Sequence, residues 1–402
     1  MAKPTNRIAL LKNPVKTYLW GSRTFIPQLL RNSSPADKPQ AELWMGVHPN
    51  GPSLVSLGDT WVPLQDVIAK DPEGILGPSV AQKFSNALPF LFKILAADQP
   101  LSVQAHPNRT QAREGFAQEN ALQIPLSSTY RTYMDENHKP EILCALRPFR
   151  LLKGFRKISE ILDFMDHAGI PALGAPLRKG PDQEGLRAFF STLMTMGKEE
   201  QHHVVKEAVK AVQFRSQADP ALHWVTKLDQ LFPGDIGALA PLFLNDLFLE
   251  PGEAVFVTAG ELHIYLEGAG IELMASSDNV LRGGLTSKPV NVLELLRIVD
   301  FTCAESRVLR PEPQKNGEYL YVTPAEEFAL SVLSLDGDSS YRSPKNRSVE
   351  IVICVEGQGR ITDLGWGERL LFDRGTAMII PADVEQYELR GKARLYKATV
   401  PS

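Results

Sequence analysis

Cysteine is scarce in this chain. Its 402 residues include only Cys144, Cys303 and Cys354, an odd number without CxxC spacing, each set in an apolar stretch. That excludes a disulfide scaffold and predicts reduced, buried thiols in a cytosolic protein. Long apolar runs are missing as well, and no segment approaches the ~20 residues of a membrane span. The early run Ile8-Ala9-Leu10-Leu11 is closed at once by Lys12, far short of a signal-peptide core, so the expected location is the cytoplasm. Nor is there a block of like charge. The 43 Lys and Arg stand against 47 Asp and Glu, a formal charge of -4 spread along the chain, which argues against nucleic acid or an anionic membrane as partner. An anionic substrate would need a local basic pocket.

What is present fits a globular protein: 43% apolar and 22% charged residues, over a length that suits two or three domains. Residues 1–150 carry short apolar runs such as Leu88–Ala97 between Pro- and Gly-rich turns, the mark of strands with some helix between them. From Ile158 the spacing turns helical: Ile158, Ile161, Leu162 and Met165, then Leu186, Phe189, Phe190 and Leu193, then Val204, Val205, Ala208 and Val212. Residues 151–245 therefore read as a helical unit. Its histidines, His167, His202, His203 and His223, lack ligand spacing and are expected on helix surfaces or at the core edge.

After Pro251 the β character returns as part of an internal repeat with an offset of about 123 residues. Pro251-Gly252-Glu253-Ala254-Val255-Phe256-Val257 aligns with Arg374-Gly375-Thr376-Ala377-Met378-Ile379-Ile380, and Leu266 and Gly268 fall on Leu389 and Gly391. A Gly turn, an apolar strand, a small-residue turn and a second strand need a partner sheet to bury their face, as in a jelly roll. The expected architecture is mainly β with a helical insertion: two jelly-roll sandwiches plus one α-helical domain. Residues 1–150 and 246–300 form the first sandwich, 151–245 the helices and 301–402 the second sandwich. His263 in the first copy corresponds to Gln386 in the second, and residues 301–402 contain no histidine, so the second sandwich is expected to be metal-free.

Three short segments carry candidate chemistry. Gln104 and His106 alternate on one face of an expected strand, His138-Lys139-Pro140-Glu141 precedes the apolar run Ile142–Leu146, and His263 interrupts an apolar strand pair. Taken singly each is a weak ligand signal, since a lone strand histidine is more often a hydrogen-bonded core residue.

Jointly they carry a resemblance. Ala41-Glu42-Leu43-Trp44-Met45-Gly46, Gln104-Ala105-His106-Pro107, His138-Lys139-Pro140-Glu141, Gly260-Glu261-Leu262-His263 and Ser277-Asp278-Asn279-Val280-Leu281-Arg282-Gly283-Gly284-Leu285-Thr286 resemble the type I mannose-6-phosphate isomerases in order and separation. Thr286-Ser287-Lys288-Pro289 departs from that pattern, which has proline directly after the threonine. The resemblance implies cupin-like sandwiches, one zinc per chain held by Gln104, His106, Glu141 and His263, and a small-molecule sugar phosphate as substrate. It places Arg282 in the site with Lys93 and Lys139 nearby. Two imidazoles, one carboxylate and one amide oxygen are acceptable zinc donors, and a single carboxylate leaves about +1 to stabilise an enediolate.

Aldose–ketose isomerisation needs a base between C1 and C2, an acid for ring opening and a phosphate clamp. Glu272 is a candidate base and His138 a candidate for ring opening. Lys93 and Lys139 are open between phosphate binding and proton transfer, and Arg282 between phosphate and an anionic oxygen. Trp20, Ser102 and Asp278 complete the expected substrate contacts. A monomer is the default. The rival readings are an isomerase of another sugar phosphate, a non-catalytic sugar- or metal-binding sandwich, and a metal-dependent oxygenase, whose iron site would want more open positions than a fourth ligand at Gln104 leaves.

Overall fold

The computed structural model describes residues 6–213, 219–303 and 306–401. Two ten-stranded sheets dominate it, with helices gathered between residues 158 and 243 and a shorter set around 64–83. The expected mainly β architecture with a helical insertion is the one observed.

The first sandwich is organised by one long strand, His263–Ala275. Its start pairs with Phe149–Phe155 and with Gln104, and its end lies between Phe90–Ala97 and Glu141–Ala145. The changeover falls at an irregularity between Tyr265 and Glu267, next to Gly268 at φ +136°. A Cβ there would lie 2.6 Å from the Phe149 ring and 2.7 Å from the Pro148 carbonyl, so only glycine lets the strand cross from one layer to the other. The repeat seen in the sequence is a structural repeat. Ala254–Val257 and Ala377–Ile380 are both strands, His263–Ala275 is matched by Tyr387–Thr399, and Gly391, at φ +146°, makes the same close approach to the neighbouring backbone as Gly268.

The helical unit does not begin at residue 151. Phe149–Phe155 is a strand, and it pairs antiparallel with Leu244–Leu249, so the two ends of the insertion leave the sandwich side by side. Between them the predicted apolar stripes are buried: Ile161 and Met165, Leu186, Phe189, Phe190 and Leu193, and Val205, Ala208 and Val212. They pack with Phe155, Phe243 and Phe301 into one aromatic-rich core. His167, His202, His203 and His223 are all exposed, as helix-surface residues should be.

Two further features were not legible in the sequence. The strand Ala9–Lys12 pairs with Ala377–Ile380, so a segment distant in sequence extends the sheet of the last domain. Cys144 and Cys354 are buried as expected, but Cys303 is exposed, held by an isolated bridge to Phe155 and not inside a strand. Among the described residues no helix is long and apolar enough to cross a membrane.

Candidate metal centre and substrate cavity

Glu141 opens the fully buried strand Glu141–Ala145, and His263 opens the strand that lies against it. His106 follows the two-residue strand Gln104–Ala105, whose register sets Gln104 opposite both His263 and Arg282. Three distant segments thus meet at one end of the sandwich. His106 Nε2 lies 3.4 Å from Glu141 Oε1, His263 Nε2 lies 3.7 Å from Glu141 Oε2, and candidate ligand atoms of the three residues fall within 4.8 Å of one another.

Both imidazoles are turned to present Nε2. His106 Nδ1–H donates to the Asn279 carbonyl at 2.7 Å and His263 Nδ1–H to the Glu261 carbonyl at 3.1 Å, which fixes the tautomer with a bare Nε2. His106 Nε2 is fully buried and has no hydrogen-bond partner. An orphaned acceptor of that kind is costly unless a cation or donor meets it, and two bare imidazole nitrogens around a carboxylate are the donor set of a zinc site. Burial, together with Lys139, lowers the His106 pKa, and burial with His106 lowers His263 to about 3, so both rings stay neutral and able to ligate. Burial alone would raise Glu141, but Lys139 at 3.0 Å and the histidines hold it well below the usual carboxylate range. Tyr265 donates to Glu141 Oε2 at 3.2 Å. Sequence reasoning missed Tyr265, although its position two residues after His263 on one strand places it on the same face.

Behind this cluster Lys93 is buried between two acids, 2.7 Å from Glu272 and 3.4 Å from Glu42, with Trp44 donating to Glu42 at 2.9 Å. Burial would lower the Lys93 pKa, but Glu272 and Glu42 raise it, so the ammonium holds its proton firmly. Burial pushes the Glu272 carboxyl up, Lys93 pulls it down, and Glu141 and Glu42 push it up again, to about 7.

A cavity of about 890 Å³ adjoins these residues, with Trp44, Asp278, Arg282 and Lys288 in its wall. Burial lowers the Arg282 pKa, and the facing Arg282 charge lowers Lys288. Among the described residues no carboxylate pairs with either, so the two cations present uncompensated charge to the cavity. Lys288 carries no sequence signal beyond lying in the departing loop segment.

The remaining candidates are placed elsewhere. His138 Nε2 meets Glu327 of the second sandwich at 2.7 Å and Arg109 at 3.0 Å. Trp20 stacks on Tyr18, which itself lines the cavity, and packs against the core of the first sandwich. Ser102 lies half-buried in the segment that leads into Gln104.

Comparison with known proteins gives a consistent set of likenesses. Residues 8–158 match the family profile of the phosphomannose isomerase type I catalytic domain, residues 168–244 that of the type I helical insertion domain, and residues 318–400 that of the mannose-6-phosphate isomerase cupin domain. The mannose-6-phosphate isomerase of Escherichia coli is 38% identical over 391 residues, covering 96% of this chain and 97% of that protein. That of Macaca fascicularis is 34% identical over 390 residues, with 89% of each covered. Among solved structures, a zinc-bound mannose 6-phosphate isomerase superposes with a TM-score of 0.90 at 35% identity, over 98% of this chain and 100% of the other. The Salmonella typhimurium enzyme bound to fructose 6-phosphate and zinc gives 0.89 at 35% identity, again over 98% and 100%.

Proposed function

This chain belongs to the type I phosphomannose isomerases, and on that premise we infer that it interconverts D-mannose 6-phosphate and D-fructose 6-phosphate by moving a proton between C1 and C2 through an enediolate. The observation that carries the reading is the juxtaposition of a neutral, bare-nitrogen ligand set with a cavity in whose wall Arg282 and Lys288 have no carboxylate partner among the described residues. In this reading Gln104, His106, Glu141 and His263 hold one zinc ion. Bound there, zinc supplies positive charge that polarises the sugar oxygens and lowers the barrier to enediolate formation.

The chain's own residues do the rest. Arg282 and Lys288 clamp the phosphate, because their charge is uncompensated, whereas Lys93 and Lys139 are each already bonded to carboxylates. Glu272 is the proton carrier, since a carboxyl with a pKa near 7 both accepts and returns a proton at neutral pH. Lys93 orients it at 2.7 Å. Asp278 and Trp44, in the cavity wall, contact the sugar, while Trp20 supports Tyr18 of that wall from behind. The site draws on residues within 1–150 and 246–300, with the helices between 158 and 243 and the histidine-free sandwich over 301–402 as framework. We take the enzyme as a cytoplasmic monomer acting on a small sugar phosphate, with neither nucleic acid nor membrane as partner, a setting that the three unpaired cysteines suit.

The test is conversion of mannose 6-phosphate to fructose 6-phosphate by the purified chain before and after chelation, with zinc added back and His263→Ala in parallel. Activity that is lost on chelation, restored by zinc and missing in the variant upholds the reading. Stoichiometric zinc binding without turnover of this substrate moves the function to another sugar phosphate or to binding alone.

A further inference from the structure

His48 has no part in the chemistry described so far, yet it sits against two residues of the cavity wall, Trp44 and Asp278. It lies three residues beyond the strand Glu42–Met45, is only 5% exposed, and packs edge-on against Trp44 with ring centroids 4.8 Å apart. Its Nε2 sits 3.0 Å from Asp278 Oδ1. The other ring nitrogen decides the tautomer: Nδ1 accepts from the Asn50 backbone N–H at 3.2 Å, so the ring proton resides on Nε2 and is donated to the carboxylate.

Asp278 is gripped from a second side, where its backbone N–H donates to Asp135 Oδ2 at 2.8 Å. Its side chain nevertheless stays 41% exposed in the cavity wall, and among the described residues its second carboxylate oxygen has no hydrogen-bond partner. Burial alone would raise this carboxyl, but the His48 hydrogen bond, with the charges of Lys139 and Lys93, holds it below the usual carboxylate range. A charged acceptor with one oxygen tied and one free, beside a buried aromatic face and an arginine, is a directional site for a hydroxyl group.

We propose that His48 is a positioning residue, whose Nε2–H fixes the Asp278 carboxylate so that its free oxygen accepts a hydrogen bond from a hydroxyl of the sugar phosphate. The proposal rests on the reading of this cavity as a sugar-phosphate site. An acceptor that bonds the hydroxyl equally in the ground and transition states acts mainly on KM.

The experiment is a double-mutant cycle of His48→Phe with Asp278→Asn, plus His48→Gln, following kcat, KM and zinc content. His48→Phe is expected to raise KM about tenfold with kcat within about threefold, the loss of one charge-assisted hydrogen bond. Zinc content should stay at that of the wild type. His48→Gln, whose amide N–H reaches the same oxygen, should recover most of the loss. In the Asp278→Asn background His48→Phe should add less than about twofold. Equal effects in both backgrounds, or a glutamine variant no better than phenylalanine, overturn the positioning role while wild-type turnover leaves the functional reading standing. A wild-type chain that turns over no mannose 6-phosphate overturns both. Nitrogen-15 shifts of the His48 ring in the unmutated protein give a reading independent of variant folding, and a proton found on Nδ1 overturns the proposal.

Discussion

Glu350 occupies in the C-terminal sandwich the register position that Glu141 occupies in the catalytic one: Glu141 stands opposite Val257, and Glu350 opposite Ile380, the residue that the sequence repeat aligns with Val257. What surrounds the two carboxylates differs. Around Glu141 are two neutral imidazoles and Lys139, whereas Glu350 has Lys397 at 3.0 Å and Arg347 at 3.7 Å. The second sandwich, which has no histidine, neutralises its buried acid with its own cations.

Lys397 is 3% exposed and also meets Glu318 at 2.9 Å, so Lys397→Met leaves two buried carboxylates without their shared partner. The expected destabilisation is about 3–5 kcal/mol by denaturant titration, with zinc content unchanged. A loss under about 1 kcal/mol would mean that water reaches the cluster.

Asn279 is fully buried, and its side chain holds the loop whose carbonyl orients His106: Oδ1 accepts from Met134 N–H at 2.7 Å, and Nδ2 donates to the Asp135 and Asn137 carbonyls at 2.8 and 2.9 Å. Asn279→Ala should weaken zinc affinity about 10- to 100-fold in a chelator competition. Unchanged affinity would show that the Asn279 carbonyl is held by other contacts.

Lys288→Ala removes a cation of the cavity wall that faces Arg282 and has no carboxylate partner among the described residues. We expect KM for the sugar phosphate to rise about tenfold with kcat largely retained, because a phosphate remote from the reacting carbons is bound alike throughout the reaction. A kcat effect of that size with constant KM would place Lys288 at the reacting carbons instead.

Gly252 and Gly268 both have positive φ, but a Cβ at Gly252 meets nothing within 4 Å, whereas one at Gly268 lies 2.6 Å from Phe149. Gly268→Ala should therefore be more destabilising than Gly252→Ala by at least about 2 kcal/mol, read from unfolding curves of the two variants. Equal losses would put the strain in the backbone angle alone.

Acid should weaken the C-terminal sandwich. Burial would raise the Glu318 carboxyl, but Lys397 and the hydrogen bonds from Ser331 and Tyr341 hold it below its ordinary value. A depressed folded-state pKa contributes stability that is fully present above the unfolded value of about 4.3 and is lost as pH falls through the folded one. Glu318→Gln should flatten that acid limb of the stability curve, and an unaltered slope would assign the acid sensitivity to other carboxylates.

The repeat and the helical stripes were legible because they are periodic: strand and helix bury every second or every third to fourth side chain, and the order of residues records it. The ligand triad was legible only through resemblance to a family, since His106, Glu141 and His263 are individually ordinary. His48 and Lys288 escaped altogether. Nothing near His48 in the chain refers to Asp278, and Lys288 matters through Arg282, a neighbour across the cavity wall. The expected start of the helical unit was off by a strand, because Phe149–Phe155 is apolar in a way that serves strand and helix equally until Leu244–Leu249 pairs with it.

Local order along the sequence, then, determined which segments become strands or helices, where the glycine turns fall, and that the last hundred residues repeat an earlier unit without its histidine. Tertiary structure alone decided which nitrogen of each imidazole faces the ligand position, which cations keep their charge and which surrender it to a carboxylate. The reason is physical: tautomer, pKa and uncompensated charge depend on distances of a few ångströms between groups far apart in the chain, and only the closed sandwich sets those distances.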